Sequence, residues 1–164
     1  MRFVIHFEKP NEFLPRYISR EDVVADLGCG PGFYCEFLIK LAKKVYCVDI
    51  DCISLSIAKE KAPSATFLCE SAEETSIKDG EVDVVVLANS FHDMNNKEKV
   101  VKEIKRILKD GGKVIIVDWK KDSPIGPPIW KRMSEEEYLK FFGSFTLLEK
   151  FDPSAYQFGM VLRK

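Results

Sequence analysis

Short runs of β-forming residues alternate with helical patterns along this chain, and this alternation constrains the fold more than any other feature. The runs that predict strands are residues 23–26, 45–48, 66–69, 82–88 and 113–118. The patterns that predict helices are residues 33–42, 53–61 and 98–108, the last of them ended by Gly111 and Gly112. Such alternation is typical of a parallel sheet with crossover helices.

The C-terminal segment is predicted to close this sheet. Pro124, Pro127 and Pro128 indicate an extended loop, and Ser134 with Glu137 forms a capping box that opens a helix through Phe142. Two final strands are predicted at residues 145–151 and 156–162. We therefore expect one α/β domain over residues 1–164. It would have a Rossmann-like doubly wound sheet in three α/β/α layers, mostly parallel, with an antiparallel closing strand.

The composition favours a cytoplasmic protein. With 164 residues, the chain has the length of one domain, and its formal net charge of −1 argues against nucleic acid or an anionic membrane as the main partner. The longest apolar runs, such as residues 84–88, are too short to span a membrane. Charges at Arg2, Glu8 and Lys9 argue against a signal peptide.

Five cysteines are scattered without the spacing of a metal site. Their odd number and the expected reducing compartment predict that they are small buried apolar residues. The sequence thus predicts neither a disulfide framework nor a bound metal.

The most specific motif is the glycine-rich segment Ala25 to Gly32, which reads ADLGCGPG and lies between a predicted strand and a predicted helix. Glycines allow a sharp turn and a close approach of the backbone to a ligand. The helix that follows offers N–H groups without intrahelical partners. A nucleotide or a carboxylate-bearing ligand is the expected occupant.

The spacing disfavours two common nucleotide motifs. The dinucleotide fingerprint needs Gly or Ala where this chain has Phe33, and a P-loop needs a Gly-Lys-Ser/Thr ending that is absent here. Asp49 follows the second predicted strand, where a carboxylate can accept hydrogen bonds from both ribose hydroxyls of an adenosine. Asp51 competes for this role but is more typical of the cap of the next helix.

The segment Val24 to Gly32, the acid at Asp49 and the run Asp83 to Asn89 resemble the class I S-adenosylmethionine-dependent methyltransferases. Within that class the chain is similar to the type 11, ubiquinone/menaquinone-biosynthesis-like group of small-molecule enzymes. The helix–turn–strand signature of that group matches Glu103 to Val114. The resemblance extends from about Val23 to Trp119 and weakens toward the C-terminus.

The resemblance implies that residues 21–119 bind S-adenosyl-L-methionine and release S-adenosyl-L-homocysteine as product. Residues implied to hold the methionine part are Asp26 and the loop residues Gly28, Cys29, Gly30 and Gly32. Residues implied to hold the adenosine part are Asp49 at the ribose, Ile50 against the adenine, and Ser71 and Ala72, which stand where the family has Asp-Ala at the adenine edge. Asn89 would line the same pocket, and residues 90–92 would face the methyl group.

The implied reaction is an in-line displacement of the methyl group toward a small-molecule acceptor, with no metal. Positioning can supply most of the rate. A base is needed only if the acceptor arrives protonated, and His92, which follows the fourth strand, is the candidate. Four aromatic residues could line an apolar acceptor pocket, although each alone is more typical of a core: Trp119, Trp130, Phe141 and Phe142.

Two alternatives remain open. The chain has no insertion that could form a substrate lid, which favours a non-catalytic S-adenosylmethionine-binding or regulatory subunit that acts with a partner protein. A nicotinamide-dependent oxidoreductase is disfavoured by Phe33. In an enzyme, the arm at residues 1–20 and the substrate-side segment 120–164, above all its loop at 122–129, must contact the acceptor. The oligomeric state is expected to be a monomer or a homodimer. In a homodimer, a second copy could complete the site.

Overall fold

Seven strands and four α-helices follow one another in the part of the chain described by this computed structural model, residues 6–164. The first five residues of the predicted arm lie outside that part. The strands are β1 (Val23–Leu27), β2 (Lys44–Asp49), β3 (Thr66–Cys69), β4 (Val82–Ala88), β5 (Leu108–Trp119), β6 (Thr146–Ser154) and β7 (Gln157–Arg163). The helices are α1 (Phe33–Leu38), α2 (Cys52–Lys61), α3 (Lys97–Ile107) and α4 (Glu135–Phe141).

The strands form one sheet in the order β3-β2-β1-β4-β5-β7-β6. The first five strands pair in parallel, and β7 runs antiparallel to both β5 and β6. The chain order reverses between β1 and β4, and ligands of open α/β sheets bind beyond the carboxyl ends of the strands at such a point. The predicted mostly parallel sheet with an antiparallel closing strand is confirmed.

Apolar side chains cover both faces of the sheet, and the run 84–88 of β4 contributes to both. Val84 and Val86 pack with α1, α2 and the arm, whereas Val85 and Leu87 pack with α3 and α4. The arm contributes two short 3-10 turns, Pro10–Glu12 and Leu14–Arg16, to the first of these layers. Helices therefore lie on both faces, in the predicted α/β/α arrangement. Among the helices of residues 6–164, none is long and apolar enough to cross a membrane.

The glycine pair after α3 does not end that helix, which corrects the prediction. The helix ends at Ile107 and β5 begins at once, with both glycines inside the strand. The pairing of β4 with β5 is irregular there, since Val82 pairs with Leu108 but Val84 pairs with Lys113. At this bulge the backbone segments approach each other closely, because a Cβ on Gly112 would lie only 2.8 Å from the carbonyl oxygen of Lys109.

The cysteines also differ from the prediction, because two pairs of them form disulfides. Cys35 of α1 is joined to Cys47 of β2, and Cys52 of α2 is joined to Cys69 of β3, which leaves Cys29 as a buried free thiol. Each bond joins a helix to a neighbouring strand, so the pairing depends on the tertiary fold and has no local spacing signal. Within residues 6–164, one group of three sulfurs lies close enough to share a metal, Cys29 with Cys35 and Cys47, and two of these are bonded to each other.

Candidate active site

A cleft of about 1090 Å³ opens beyond the carboxyl ends of β1, β2 and β4, at the point where the strand order reverses. Pockets for one small ligand span roughly 300–1,000 Å³, so this cleft has room for a cofactor and a second molecule. The residues predicted from sequence that line it are Asp26, Gly28, Cys29, Gly30, Asp49, Ile50, Ser71, Ala72, Asn89 and His92. Gly32 does not line the cleft and is the N-cap residue of α1.

The three glycines of the loop have positive φ but serve different purposes. A Cβ on Gly28 would lie 2.7 Å from Cβ of Ser90, and a Cβ on Gly32 would lie 2.7 Å from Cβ of Ala58. These two glycines therefore allow the loop to pack closely against its neighbours. Gly30 has φ of +52° and no atom within 4 Å of the position of a Cβ. Its backbone borders open space in the cleft, as a loop that approaches a ligand requires.

Asp49 fixes the glycine loop to the end of β2. One carboxylate oxygen accepts a hydrogen bond from the N–H of Gly30 at 2.7 Å, and the other accepts one from the N–H of Asp51 at 2.8 Å. A carboxylate offers about four acceptor positions, so acceptor capacity remains for a ribose. Asp51 caps α2 by accepting from the N–H groups of Ile53 and Ser54, which confirms the predicted cap.

Asp26 lies at the floor of the cleft and is 1% exposed. Burial, and then the nearby charge of Asp49, raise the pKa of Asp26 to about 8. The carboxyl group is therefore largely protonated at neutral pH, and a cation placed beside it would drive its ionisation. Burial also raises the pKa of the Cys29 thiol far above its ordinary range. Cys29 is thus a neutral wall residue and not a nucleophile.

The residues implied for adenine line one end of the cleft. Ile50 is 75% exposed, and Ser71 and Ala72 line the same cleft from the segment after β3. The disulfide between Cys52 and Cys69 joins the two segments that carry these residues. Glu70 accepts hydrogen bonds from the backbone N–H and hydroxyl of Ser76, at 2.6 and 2.5 Å. Both oxygens of the Glu70 carboxylate are therefore occupied by hydrogen bonds within the loop 70–76.

Asn89, which has φ of +54°, belongs to a buried polar cluster around Glu8 of the arm. One oxygen of Glu8 accepts hydrogen bonds from the hydroxyl of Tyr34 at 3.0 Å and from the amides of Asn89 and Gln157 at 2.9 Å each. Burial by itself raises the pKa of Glu8, but hydrogen bonds from neighbouring side chains outweigh it and lower the pKa to about 2. The cluster ties the arm to α1, β4 and β7. Sequence reasoning missed Glu8 because its partners are distant along the chain.

Replacing Glu8 with Gln should therefore loosen the arm. The substitution introduces an NH2 group, which only donates, where three donors already converge. We expect a loss of about 3 kcal/mol in the free energy of unfolding. Because the pKa is depressed, the stabilisation by Glu8 is present above pH 4.5 and declines as the pH falls toward 2. Urea unfolding at neutral pH measures the loss. Glu12→Gln, on an exposed position of the same arm, is the matched control, and equal stability of the two variants would contradict the anchoring role.

His92 is held against the floor of the other end of the cleft. Its Nδ1 lies 2.9 Å from Oδ1 of Asp118 at the end of β5, and its Nε2 lies 3.4 Å from Oδ2 of Asp93. Asp118 also accepts hydrogen bonds from the hydroxyl of Tyr138 and the backbone N–H of Trp119. Sequence reasoning missed Asp118 and Tyr138, although an acid directly after the apolar run 114–117 of β5 is a usable signal.

Only part of the segment after β4 faces the cleft. Ser90 and His92 line it, and the hydroxyl of Ser90 donates to the carbonyl oxygen of Leu27 at 2.9 Å. Phe91 is fully buried among aromatic rings of α4, including Tyr138. The expectation that residues 90–92 all face the methyl group is therefore wrong for Phe91. The reason is the 3-10 turn Phe91–Asp93, which sends the middle side chain into the core.

The wall beside His92 is apolar. It is formed by Phe7 of the arm, Trp119 at the end of β5 and the loop segment 125–128. Gly126 allows the loop to lie flat on Trp119, since a Cβ there would be 2.9 Å from the indole ring. Buried Arg132 holds the loop by donating to the backbone carbonyls of Ser123 and Pro127, at 2.6 and 2.9 Å. Of the other aromatic residues predicted for this pocket, Trp130 is 80% exposed and does not line the cleft, whereas Phe141 and Phe142 pack in the core with residues of α3 and α4.

The sheet order, the glycine loop after β1 and the acid that ends β2 define a nucleotide-binding α/β protein of the Rossmann-like class. The family model described as a methyltransferase domain matches residues 25–116. The chain belongs to this family, the type 11 group of the class I S-adenosylmethionine-dependent methyltransferases.

Known structures and sequences agree with this assignment. A Sulfolobus solfataricus protein assigned to the type 11 methyltransferases is 44% identical, with a TM-score of 0.89 over 97% of this chain and 94% of that one. An S-adenosylmethionine-dependent methyltransferase from Aquifex aeolicus is 26% identical, with a TM-score of 0.88 over 95% of this chain and 89% of that one. The ubiquinone/menaquinone biosynthesis C-methyltransferase UbiE of Campylobacter jejuni is 25% identical over 64% of this chain. The chain spans about half the length of the curated relatives it matches.

Proposed function

We propose that the chain binds S-adenosylmethionine in the cleft and transfers a methyl group to a small-molecule acceptor by in-line displacement. The observation that carries the proposal is the open space in front of Gly30. The N–H of this glycine donates to Asp49, and its backbone borders the cleft that has Asp26 at its floor. Its positive φ already favours glycine, and its open side lies in the cleft, so a ligand can approach the bare backbone at this point. The cofactor supplies an electrophilic methyl group on a sulfonium.

The charges of the cleft fit this cofactor. Among the described residues that line it, the carboxyl side chains are Asp26, Asp49, Asp51, Glu70, Glu73 and Asp93, and the lysine is Lys61. An acidic cleft favours a ligand with cationic groups, such as an α-ammonium and a sulfonium. We assign the α-ammonium to Asp26 and the glycine loop, the ribose to Asp49, and the adenine to Ile50, Ser71 and Ala72.

The acceptor site in this proposal is the end of the cleft beside His92. Its walls are the aromatic rings of Phe7 and Trp119 and the proline-rich loop. These walls suit a small acceptor with an apolar, flat surface. Among the described residues that form them, none is a lysine or arginine that could bind a phosphate or a carboxylate. His92 is the group that can accept a proton from an acceptor O–H or N–H as the methyl bond forms.

Isothermal titration with S-adenosylhomocysteine tests the cofactor assignment, with NADH as a parallel titrant. We expect micromolar binding of S-adenosylhomocysteine alone, equivalent to about −8 kcal/mol. Heat from NADH and none from S-adenosylhomocysteine would contradict the interpretation of the glycine loop. A screen of methyl acceptors then separates an enzyme from the alternative, a cofactor-binding subunit that turns over no acceptor without a partner protein.

Asp49→Ala should weaken S-adenosylhomocysteine binding tenfold or more. The change removes the ribose acceptor and also the group that fixes the N–H of Gly30, and charge-assisted hydrogen bonds are worth about 1.5–3 kcal/mol each. The titration above measures the effect. Asp110→Ala removes the same charge from a fully exposed position and should bind like the wild type. Equal affinity of both variants would exclude Asp49 from the ribose site.

A further inference from the structure

The carboxylate of Asp118 is buried at the end of β5 and is surrounded by donors. It is 1% exposed and accepts from the hydroxyl of Tyr138 and, at 2.8 Å, from the backbone N–H of Trp119. Burial and the charge of Asp118 raise the pKa of Tyr138 well above its ordinary value, so the phenol remains a proton donor. A buried carboxylate with two such donors accepts a third hydrogen bond and donates none.

The third partner is Nδ1 of His92, which lies 2.9 and 3.1 Å from the two oxygens of Asp118. Both oxygens of Asp118 already accept hydrogen bonds, and the Nδ1 contact at 2.9 Å is shorter than the 3.4 Å between Nε2 and Asp93, so this geometry makes Nδ1 the nitrogen that donates. In the neutral imidazole the lone pair is consequently on Nε2. Nε2 is the nitrogen on the side of Asp93, a half-exposed residue that lines the cleft with His92.

We propose that Asp118, supported by Tyr138, is a positioning residue that fixes His92 in the Nδ1–H tautomer and so directs the basic Nε2 toward the acceptor. The proposal rests on the proposed function and deepens it. As the methyl group moves from the sulfonium to the acceptor atom, the proton on that atom moves to Nε2, which yields a neutral thioether, a methylated acceptor and an imidazolium.

The two carboxylates beside the ring have separate roles in this arrangement. Asp118 stabilises the imidazolium through Nδ1 throughout the reaction. Asp93 lies 3.4 Å from Nε2 and is 39% exposed at its side chain, so it can receive the proton from the imidazolium and pass it to solvent. Lys131, 2.9 Å from the other oxygen of Asp93, holds this carboxylate in place from the segment before α4.

The tautomer can be measured without an acceptor, because the chain has only two histidines. In two-bond proton–nitrogen correlation spectra of 15N-labelled protein, each ring gives a pattern that distinguishes Nδ1–H, Nε2–H and imidazolium. His6→Gln assigns the signals. We expect the neutral ring of His92 to be the Nδ1–H tautomer in the wild type. An Nε2–H ring there would overturn the proposal, and this result needs no variant at Asp118.

Asp118→Asn tests the cause. The amide can donate to Nδ1, so we expect the neutral ring to shift toward the Nε2–H tautomer. Asp93→Asn makes the same substitution beside the other nitrogen and should leave Nδ1–H in place. If His92 keeps the Nδ1–H tautomer in Asp118→Asn, the carboxylate does not set it and the proposal fails.

Binding of S-adenosylhomocysteine separates this proposal from the proposed function. Asp118→Asn should bind it like the wild type, because Asp118 lies at the acceptor end. If even the wild type does not bind, the proposed function fails while the tautomer result still stands. With an acceptor in hand, Asp118→Asn should lower kcat by about 10²-fold or more at an unchanged KM, as a wrong histidine tautomer does in other enzymes.

Discussion

Gly30→Val is expected to abolish S-adenosylhomocysteine binding while the chain remains folded. The fold should persist because no atom lies within 4 Å of the position of the new Cβ. The side chain would instead fill the space that we assign to the cofactor. Loss of micromolar binding corresponds to at least about 3 kcal/mol, or more than a hundredfold in affinity. Isothermal titration measures the loss, and circular dichroism checks the fold.

The backbone cost of this substitution can be separated from its steric effect. Gly30 has φ of +52°, where a β-branched residue is strained by about 1–3 kcal/mol. Gly80 has φ of +59°, equally open surroundings and a position in the turn before β4, away from the cleft. Gly80→Val therefore carries the same backbone penalty and should bind S-adenosylhomocysteine normally. If Gly30→Val also binds normally, the loop does not approach the cofactor and the main support for the proposed function is lost.

The elements that sequence predicts well are those whose signal is local. The bounds of β3 and β4 agree with the prediction to the residue, because each is a short apolar run between turn residues. The capping box at Ser134 is confirmed for the same reason. The prediction that Gly111 and Gly112 end α3 is wrong because glycine is common both after a helix and at a strand bulge. The pairing of β4 with β5, which decides between them, lies outside a local window.

The candidate site divides in the same way. The glycine loop and Asp49 are recognisable because strand, turn and acid follow one another within one βαβ unit. Glu8 is not, because Asn89 and Gln157, which give it a function, are 81 and 149 residues away. The pair of His92 and Asp118 is intermediate, since each follows or ends a strand of the sheet. Only the parallel pairing of β4 with β5 brings them together.

Asp26→Asn is expected to stabilise the empty protein at alkaline pH. The pKa of Asp26 is about 8 in the fold against an ordinary value of 3.8, so the folded chain holds this proton more firmly than the unfolded chain. The contribution of Asp26 to the free energy of unfolding is therefore most favourable below pH 3.8. It falls by up to about 1.4 kcal/mol for each pH unit between 3.8 and 8. Asparagine does not titrate, so the variant lacks this dependence of the free energy of unfolding on pH. Urea unfolding at about pH 5 and pH 8 should show a gain on the order of 3 kcal/mol at the higher pH.

The same substitution should weaken the binding of S-adenosylhomocysteine. In the wild type, the α-ammonium group of the ligand favours ionised Asp26, so binding near pH 7 should release up to one proton. Titrations in two buffers of different ionisation enthalpy count that proton, and Asp26→Asn should release none. Asp110→Asn, at a fully exposed position, should keep both the stability slope and the proton release of the wild type. If Asp26→Asn gains stability but retains full affinity, Asp26 is a buried acid outside the cofactor site. A loss of affinity together with the gain means that the chain maintains an unfavourable buried carboxyl group because the cofactor requires it.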